Sequence, residues 1–416
     1  MSKSDVAIIG GGVVGLSCAY YLLKSGRRVT LLEQKQIGAG SSTGNAGHIV
    51  PSHIIPLSAP GVIGSAFKWI LLDRQNSPFG MKLSLDPAYL AWLLRFAASC
   101  TEANVQRAIP VLDALGRLSA GCFAALMAEE EFECNYQQTG LLFLYKSAQG
   151  FEAGSREAEV MRRHGVPAEV LDQTAVHQRE PATLPDVVGG VHFTGDASLN
   201  PALFVKLLGE RVQKMGAQIH EDTSVTGFEM SGAKIARVKT SRGEFEPELV
   251  VLAAGAWSPN VARGLGLNIP VQPARGYSLT MTRPKAGPRL PLLLGERRVA
   301  VTPLGNLLRF TGRLELSQLD TTVNPRWIRA IERAVREFVQ LDPLLEVHET
   351  WAGLRPTTPD GLPIIGRSPR HSNLLLATGH AMLGLSLGPG TGQIVAQLGG
   401  DKKPDFNITP LRLERF

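Results

Sequence analysis

"DVAIIGGGVVGLSCAYYLLKSGRRVTLLE" occupies residues 5–33. It is apolar enough for a membrane span, yet it carries five glycines and ends on a carboxylate. Val6 to Ile9 form a short apolar run directly before the glycines, which predicts a buried strand. Gly10-x-Gly12-x-x-Gly15 follows, and Val13, Leu16, Ala19, Tyr20 and Leu23 then recur at helical spacing. Gly26 stands where a helix C-cap belongs, and residues 28–32 resume as a strand ending at Glu33.

Strand, glycine turn, helix, strand and acid in this order predict a dinucleotide site. Gly10 permits the sharp turn, Gly12 lets a pyrophosphate approach the backbone, and Gly15 lets helix and strand pack closely. The helix start at Val13 and Val14 presents free N–H groups and a partial positive charge to phosphates. Glu33, with Gln34 beside it, lies 23 residues after Gly10, near the spacing of about 20 expected for the acid that accepts from ribose hydroxyls. A carboxylate there repels a 2′-phosphate and disfavours NADP. The motif alone does not separate FAD from NAD.

The chain has 416 residues, long for one core, so two domains are expected. Its net charge of +6 is dispersed, and no basic run is interleaved with aromatics, which argues against a nucleic-acid partner. The four cysteines, Cys18, Cys100, Cys122 and Cys134, include no C-x-x-C pair, so neither a disulfide framework nor a metal site is expected. This cysteine usage fits a reducing compartment. No signal peptide or membrane span is read in the sequence.

Residues 39–60 are a long Gly-, Ser- and Pro-rich loop, expected to be functional because it follows the nucleotide unit directly. Residues 86–131 read as helices, with Leu90, Leu93, Leu94 and Ala97 on one face and Trp92 and Phe96 as core. Residues 139–147 read as a strand. Asn200 can cap a helix whose first position is Pro201 and whose end is Gly216. "AQIHE" and residues 248–255 read as further parallel strands, whereas "YSLTM", "RVAVTP" and "NLLRFTG" suggest a second, mostly antiparallel sheet. Residues 324–340 read as a helix with Trp327, Ile331, Ala334 and Phe338 on one face. Asp360 is read as a turn carboxylate. His164, His177 and His371 are read as surface residues.

"WAGLRPTTPDGLPIIGR" at residues 351–367 holds too many turn formers for a plain strand. "ATGHAMLGLSLGPGTGQIVAQL" at 377–398 then reads as a strand end, a glycine-rich loop and an apolar helix, a second place to receive negative charge. With "NAGHIVPSHIIPLSAPGV" at 45–62 and "RGYSLT" at 275–280, these blocks resemble the FAD-dependent D-amino-acid oxidase superfamily, with the bacterial D-amino-acid dehydrogenases nearest. The resemblance spans nearly the whole chain.

It implies an α/β fold: a Rossmann-like FAD domain (1–90, 192–260 and 350–416) interleaved with an α+β substrate domain (91–191 and 261–349) built on a mostly antiparallel sheet. It implies that Arg355 of the "GLRP" block binds the substrate carboxylate, that Tyr277 reaches the active-site side of the sheet, and that His48 acts beside the flavin. Further implied flavin contacts are Ser41, Ser42, Asn45, Ala46, Gly47, His48 and Ile49 in the loop, and Val225, Ala254, Gly255 and Gly353. The C-terminal contacts are Gly379, His380, Met382, Leu383, Gly384, Leu385 and Ser386. Glycine oxidases of this circle place a second arginine where this chain has Ala381-Met382-Leu383, which weakens that reading. Sarcosine-type oxidases link flavin to a cysteine near the C-terminal motif. Cys134 is the last cysteine here, so noncovalent FAD is expected.

The expected reaction is oxidative deamination of a D-amino acid, including D-proline or hydroxy-D-proline, by hydride transfer to flavin N5, with a quinone or oxygen as acceptor. A glycine- or sarcosine-type oxidase, a flavin subunit without turnover in a larger complex, and an NAD-dependent dehydrogenase are the alternatives. The expected location is the cytoplasm, with peripheral contact at the inner membrane face; partner subunits are left open.

Overall fold

The computed structural model describes residues 5–64, 77–82, 84–342 and 344–416. Its first sheet has six strands in the order Ile364–Arg367, Leu374–Thr378, Leu249–Leu252, Val6–Ile9, Val29–Leu32 and Gln218–His220. Neighbours run parallel except the outermost pair, Ile364–Arg367 with Leu374–Thr378. The central strands read LVVL, VAII and VTLL and are buried throughout, the pattern of parallel strands covered on both faces. Helix Val13–Lys24 packs against helices Pro201–Lys214 and Gly384–Gly399. A Cβ at Gly392 would lie 2.5 Å from the Ser17 carbonyl oxygen, so the backbones of Val13–Lys24 and Gly384–Gly399 meet where no side chain fits. Asn200 caps Pro201–Lys214 by accepting from the Ala202 and Leu203 N–H groups, as its sequence predicts.

The second sheet has nine strands. Eight run in the order Val347–Thr357, Gln272–Thr282, Leu307–Leu316, Val299–Leu304, Leu292–Leu294, Leu141–Tyr145, Gly189–Phe193 and Glu169–Asp172, and Phe79–Met81 pairs beside Leu307–Leu316. Its pairings are antiparallel apart from Leu292–Leu294 with Leu141–Tyr145 and Phe79–Met81 with Leu307–Leu316. Alternation along each strand gives the sheet two unlike faces. Tyr277, Leu279, Met281, Leu308 and Phe310 join Trp327, Ile331 and Val335 of helix Pro325–Arg336 in an apolar core. The intervening residues Ser278, Thr280, Arg309 and Thr311 are polar and also buried. Such a face requires partners from elsewhere.

Several expectations need correction. Strand Val347–Thr357 pairs along its length with Gln272–Thr282, from Gln272↔Thr357 to Met281↔Val347. The chain therefore stays in the large sheet through Thr357, and the nucleotide side resumes at Ile364–Arg367, not at 350. The turn formers of "WAGLRPTT" mislead because its glycine and proline face Gly276 and Pro273 across the ladder. Helix Glu102–Glu130, expected with the substrate half, buries Ala108, Val111, Leu112 and Leu115 against Leu362, Ile365, Leu387 and Ile394. It also sends Phe123 and Leu126 into the nucleotide-side core. This helix is long and apolar enough to cross a membrane by composition, and that packing accounts for its apolar face.

In helix Pro87–Ser99 the buried residues are Tyr89 and Trp92, while Leu90 and Leu94 are exposed. The Trp92 indole stacks on Phe96, and its N–H donates to the Thr357 carbonyl. Helix Pro325–Arg336 ends before Phe338, which is buried beyond it. Asp360 accepts from the Leu362 N–H as a turn residue does, but it also pairs with Arg415 (2.7 Å) and Arg107 (3.3 Å). It thereby ties the C-terminal segment to the long helix. His371 is half-buried, with Nε2 at 2.8 Å from the Leu265 carbonyl oxygen.

Candidate functional site

The glycine turn closes around backbone. Gly10 has φ +114°, and a Cβ there would stand 2.5 Å from the Ala253 carbonyl oxygen. A Cβ at Gly15 would fall 1.9 Å from the Gly10 carbonyl oxygen, so Gly15 is the packing glycine and does not face a ligand. Gly12 is the N-cap of Val13–Lys24 and has no side chain of its own to cap it. Ser42 Oγ accepts from the Val13 N–H at 2.9 Å, fixing the loop against the helix start. Glu33 is held by two backbone donors: Gly11 N–H to Oε2 (2.7 Å) and Lys35 N–H to Oε1 (2.9 Å).

From here an elongated cavity of about 450 Å³ runs to the polar face of the large sheet. Its nucleotide end is lined by Gly10, Gly12, Val13, Val14, Glu33 and Gln34. Ser41, Ser42, Asn45, Val225, Ala254 and Gly255 line its flanks. His380, Met382, Gly384 and Leu385 line it from the C-terminal loop, and Gly353 and Arg355 from the large sheet. Trp351, Trp257 and Thr311 also line it and were not read from the sequence. A glycine cradle at a helix N-terminus whose first N–H alone is taken by a side chain (Ser42), a braced carboxylate at ribose distance in the chain, and a cavity reaching a second helix start at Gly384–Gly399 fit FAD.

The loop between the two sheets is tied down at several points. Ser41 Oγ donates to the Leu354 carbonyl, Asn45 Nδ2 donates to the Ser42 carbonyl and its Oδ1 accepts from the Gly47 N–H. Strand His48–Ile49 pairs with Ala197–Ser198. Arg309, 4% exposed, holds the loop from the large sheet. It donates to Thr43 and Asn45 carbonyls (2.7 and 3.2 Å), to Thr280 Oγ1 (2.9 Å) and to Glu349 (3.0 Å). A lone arginine in "NLLRFTG" carries no sequence signal for this clamp.

Arg355 is placed by the geometry of two neighbouring strands. Its guanidinium lies over Gly276: a Cβ there would be 1.8 Å from Nη1. Between Arg275↔Glu315 and Tyr277↔Gly312 the ladder slips, so Arg313 and Leu314 together oppose Gly276. At this bulge Arg313 adopts φ +61°, and its carbonyl accepts from Arg355 Nη1 at 2.8 Å. The Arg313 side chain goes elsewhere, over the Trp327 ring and to the Ser77 carbonyl. Burial lowers the Arg355 guanidinium to about 10, which leaves it charged at neutral pH. Among the described residues no carboxylate pairs with it.

Several predicted contacts fall outside the cavity. Ala46, Gly47, His48, Ile49, Gly379, Leu383 and Ser386 do not line it. Gly47 turns beneath Leu199 with φ +76°, Leu383 packs on the apolar cluster around Leu387, and Ser386 Oγ accepts from the Val50 N–H. His48 Nε2 meets Thr302 Oγ1 at 2.8 Å, and burial holds the ring at about 3, so it is neutral and turned away from the cavity. Tyr277 is fully buried in the apolar core of the opposite face, with its hydroxyl donating to Glu315 at 2.9 Å. Its place in the strand, one residue from Ser278, sends it away from the site. His380 Nε2 donates to Thr391 Oγ1 (2.9 Å), whose own proton goes to the Leu387 carbonyl, and burial keeps this imidazole neutral.

Residues 5–398 match the FAD dependent oxidoreductase family, DAO. A D-amino acid dehydrogenase from Paramagnetospirillum magneticum is 34% identical over 423 residues, covering 99% of this chain and 98% of that protein. The D-amino acid dehydrogenase of Agrobacterium fabrum is 31% identical over 422 residues, covering 99% of each. A glycine oxidase structure from Geobacillus kaustophilus superposes with a TM-score of 0.82 at 23% identity, covering 100% of both chains. An L-proline dehydrogenase structure from P. horikoshii gives 0.74 at 22% identity, covering 100% of this chain and 98% of that one. The two structures share the interleaved fold. The match over nearly the full length agrees with the cavity's fit to FAD: the chain belongs to the DAO family and is an FAD-dependent amino acid dehydrogenase or oxidase.

Proposed function

We propose that the protein oxidatively deaminates D-amino acids, with Arg355 holding the substrate carboxylate. The observation that carries this is a charged, half-buried guanidinium at the cavity wall with no carboxylate beside it among the described residues. A charge partly withdrawn from water without a counter-ion is costly, and a substrate carboxylate supplies the missing partner in a bidentate grip. When bound, FAD supplies the acceptor at N5 for the hydride leaving the substrate α-carbon. The titratable groups lining the cavity, among the described residues, are Glu33, Lys35, Arg355 and His380. The first two sit at the nucleotide end, and burial lowers His380 to about 3, which makes it too weak a base to hold a proton near neutral pH, so the chain offers mainly position and charge at the carboxylate site. Among the described residues no cysteine lines the cavity.

The test is anaerobic bleaching of the flavin absorbance by single D- and L-amino acids, with proline, hydroxyproline, glycine and sarcosine in the panel. D-amino acids should bleach it. Arg355→Met should retain FAD and raise KM by roughly 100-fold, the loss of a bidentate charged contact. Bleaching by L-enantiomers alone, or unchanged kinetics in the variant, would overturn the assignment.

A further inference from the structure

We infer that the Thr311 hydroxyl, with Ser278 behind it, receives the amino group of the substrate; this rests on the reading of Arg355 as the carboxylate site. Thr311, Ser278 and Trp351 form one row across three adjacent strands, with Ser278 opposite both of the others. Residues in register share a face, and Thr311 and Trp351 both line the cavity. Thr311 is 7% exposed and Ser278 fully buried, yet Thr311 Oγ1 and Ser278 Oγ have no hydrogen-bond partner among the described residues. Among the described residues, Thr311 is the only cavity-lining side chain with a buried polar atom in that condition.

The neighbouring row on the same face is different. Thr280 accepts from Arg309, Arg309 pairs with Glu349, and Thr302 meets His48. The polar groups of that row are partnered within the protein, whereas the row at Thr311 is left open. A buried hydroxyl without a partner is unusual enough to require an explanation, and a ligand group is one.

The spacing suits an amino acid. The Arg355 guanidinium sits over Gly276, two residues from Ser278 along one strand, roughly 6.6 Å, and Thr311 is one strand away, about 4.8 Å across. In an α-amino acid the nitrogen is two bonds from the carboxylate carbon. With the carboxylate on Arg355, its amino N–H groups point at the open row, where the Thr311 hydroxyl accepts. A site with a hydroxyl waiting for an N–H discriminates against ligands that lack one.

The experiment uses the FAD-loaded full chain with Thr311→Val, which keeps shape and removes the hydroxyl, and with Thr311→Ser as rescue. One readout is KM against kcat for the D-amino acid that bleaches wild type fastest. The other is perturbation of the flavin spectrum by propionate, a carboxylate with no amine. Thr311→Val should raise KM about tenfold or more with propionate affinity within about twofold of wild type, and Thr311→Ser should restore KM. Arg355→Met should weaken both ligands. Unchanged KM in both Thr311→Val and the Thr311→Val/Ser278→Ala double variant, or equal weakening of propionate and amino acid, would overturn the assignment. If propionate binding survives Arg355→Met, it is the carboxylate reading that falls, and this inference with it.

Discussion

Replacing Gly276 by alanine tests how Arg355 is held without touching Arg355. The added Cβ would stand 1.8 Å from Nη1, 2.2 Å from Cζ and 2.3 Å from Nη2 of the guanidinium. Ordinary contact is about 3.5 Å, so the group must retreat by roughly 1.5 Å. Gly276 does not sit in the left-handed region, so alanine carries no backbone strain of its own and the effect is steric. The retreat breaks the 2.8 Å bond to the Arg313 carbonyl or spoils the grip on a carboxylate. One charged hydrogen bond is worth about 1.5–3 kcal/mol, or ~10- to 150-fold in affinity. Gly276→Ala should therefore raise KM for the D-amino acid by that range while FAD content stays stoichiometric, measured by steady-state kinetics and flavin absorbance. Combined with Arg355→Met it should cost nothing further, because both changes act through one group. A normal KM in Gly276→Ala, or a double variant much worse than Arg355→Met, would refute this account.

Other outcomes follow from the same geometry. Arg309→Met removes charged donors from the Thr43 and Asn45 carbonyls; FAD affinity should drop by roughly 10- to 100-fold, read as cofactor lost on dialysis, and full retention would count against the clamp. Burial raises Asp196 from 3.8 to about 7, so the folded form binds the extra proton between those values and the stability it gives is lost as pH rises through 7. Asp196→Asn should gain on wild type from about pH 4 to about pH 7 and then level off, by at most roughly 4 kcal/mol, in urea melts at each pH; a pH-independent difference would sink it. Burial lowers His48 and His380 to about 3 and His53 to about 4, so their contribution is full above 6.5 and is lost as pH falls towards those values. Tm should drop steeply on acidification below about pH 6.5, and a flat profile would contradict it.

What the sequence made legible was local. Gly10 to Glu33 could be read because each element follows the last within a few residues and each glycine answers a backbone demand. Asn200 and Pro201 were legible for the same reason. Facing was not legible. In "RGYSLT" the tyrosine draws attention, but alternation sends Tyr277 to the apolar core and Ser278 to the cavity side, and no local cue says which of two adjacent residues points where. The partners of a long amphipathic helix are equally silent, and nothing local in Glu102–Glu130 says that it packs on the nucleotide side. Arg309 and the bulge at Arg313 were invisible because their meaning lies in residues more than two hundred positions away or on an adjacent strand.

The glycine content has a use beyond turns. Trp351 and Arg355, on the strand Val347–Thr357, both line the cavity, and each lies against positions where no Cβ would fit. A Cβ at Gly44 would meet the Trp351 ring at 2.1 Å, one at Gly353 would meet it at 2.0 Å, and one at Gly276 would meet Arg355 at 1.8 Å. Three glycines from three separate segments thus surrender their side-chain volume so that one indole and one guanidinium can lie flat along the sheet. Standing upright, as strand side chains normally do, both would project into the cavity that FAD and an amino acid must share. The site is built as much by what Gly44, Gly276 and Gly353 omit as by what Arg355 supplies, which is why Gly276→Ala, a change of one methyl group, is expected to act like damage to the arginine itself.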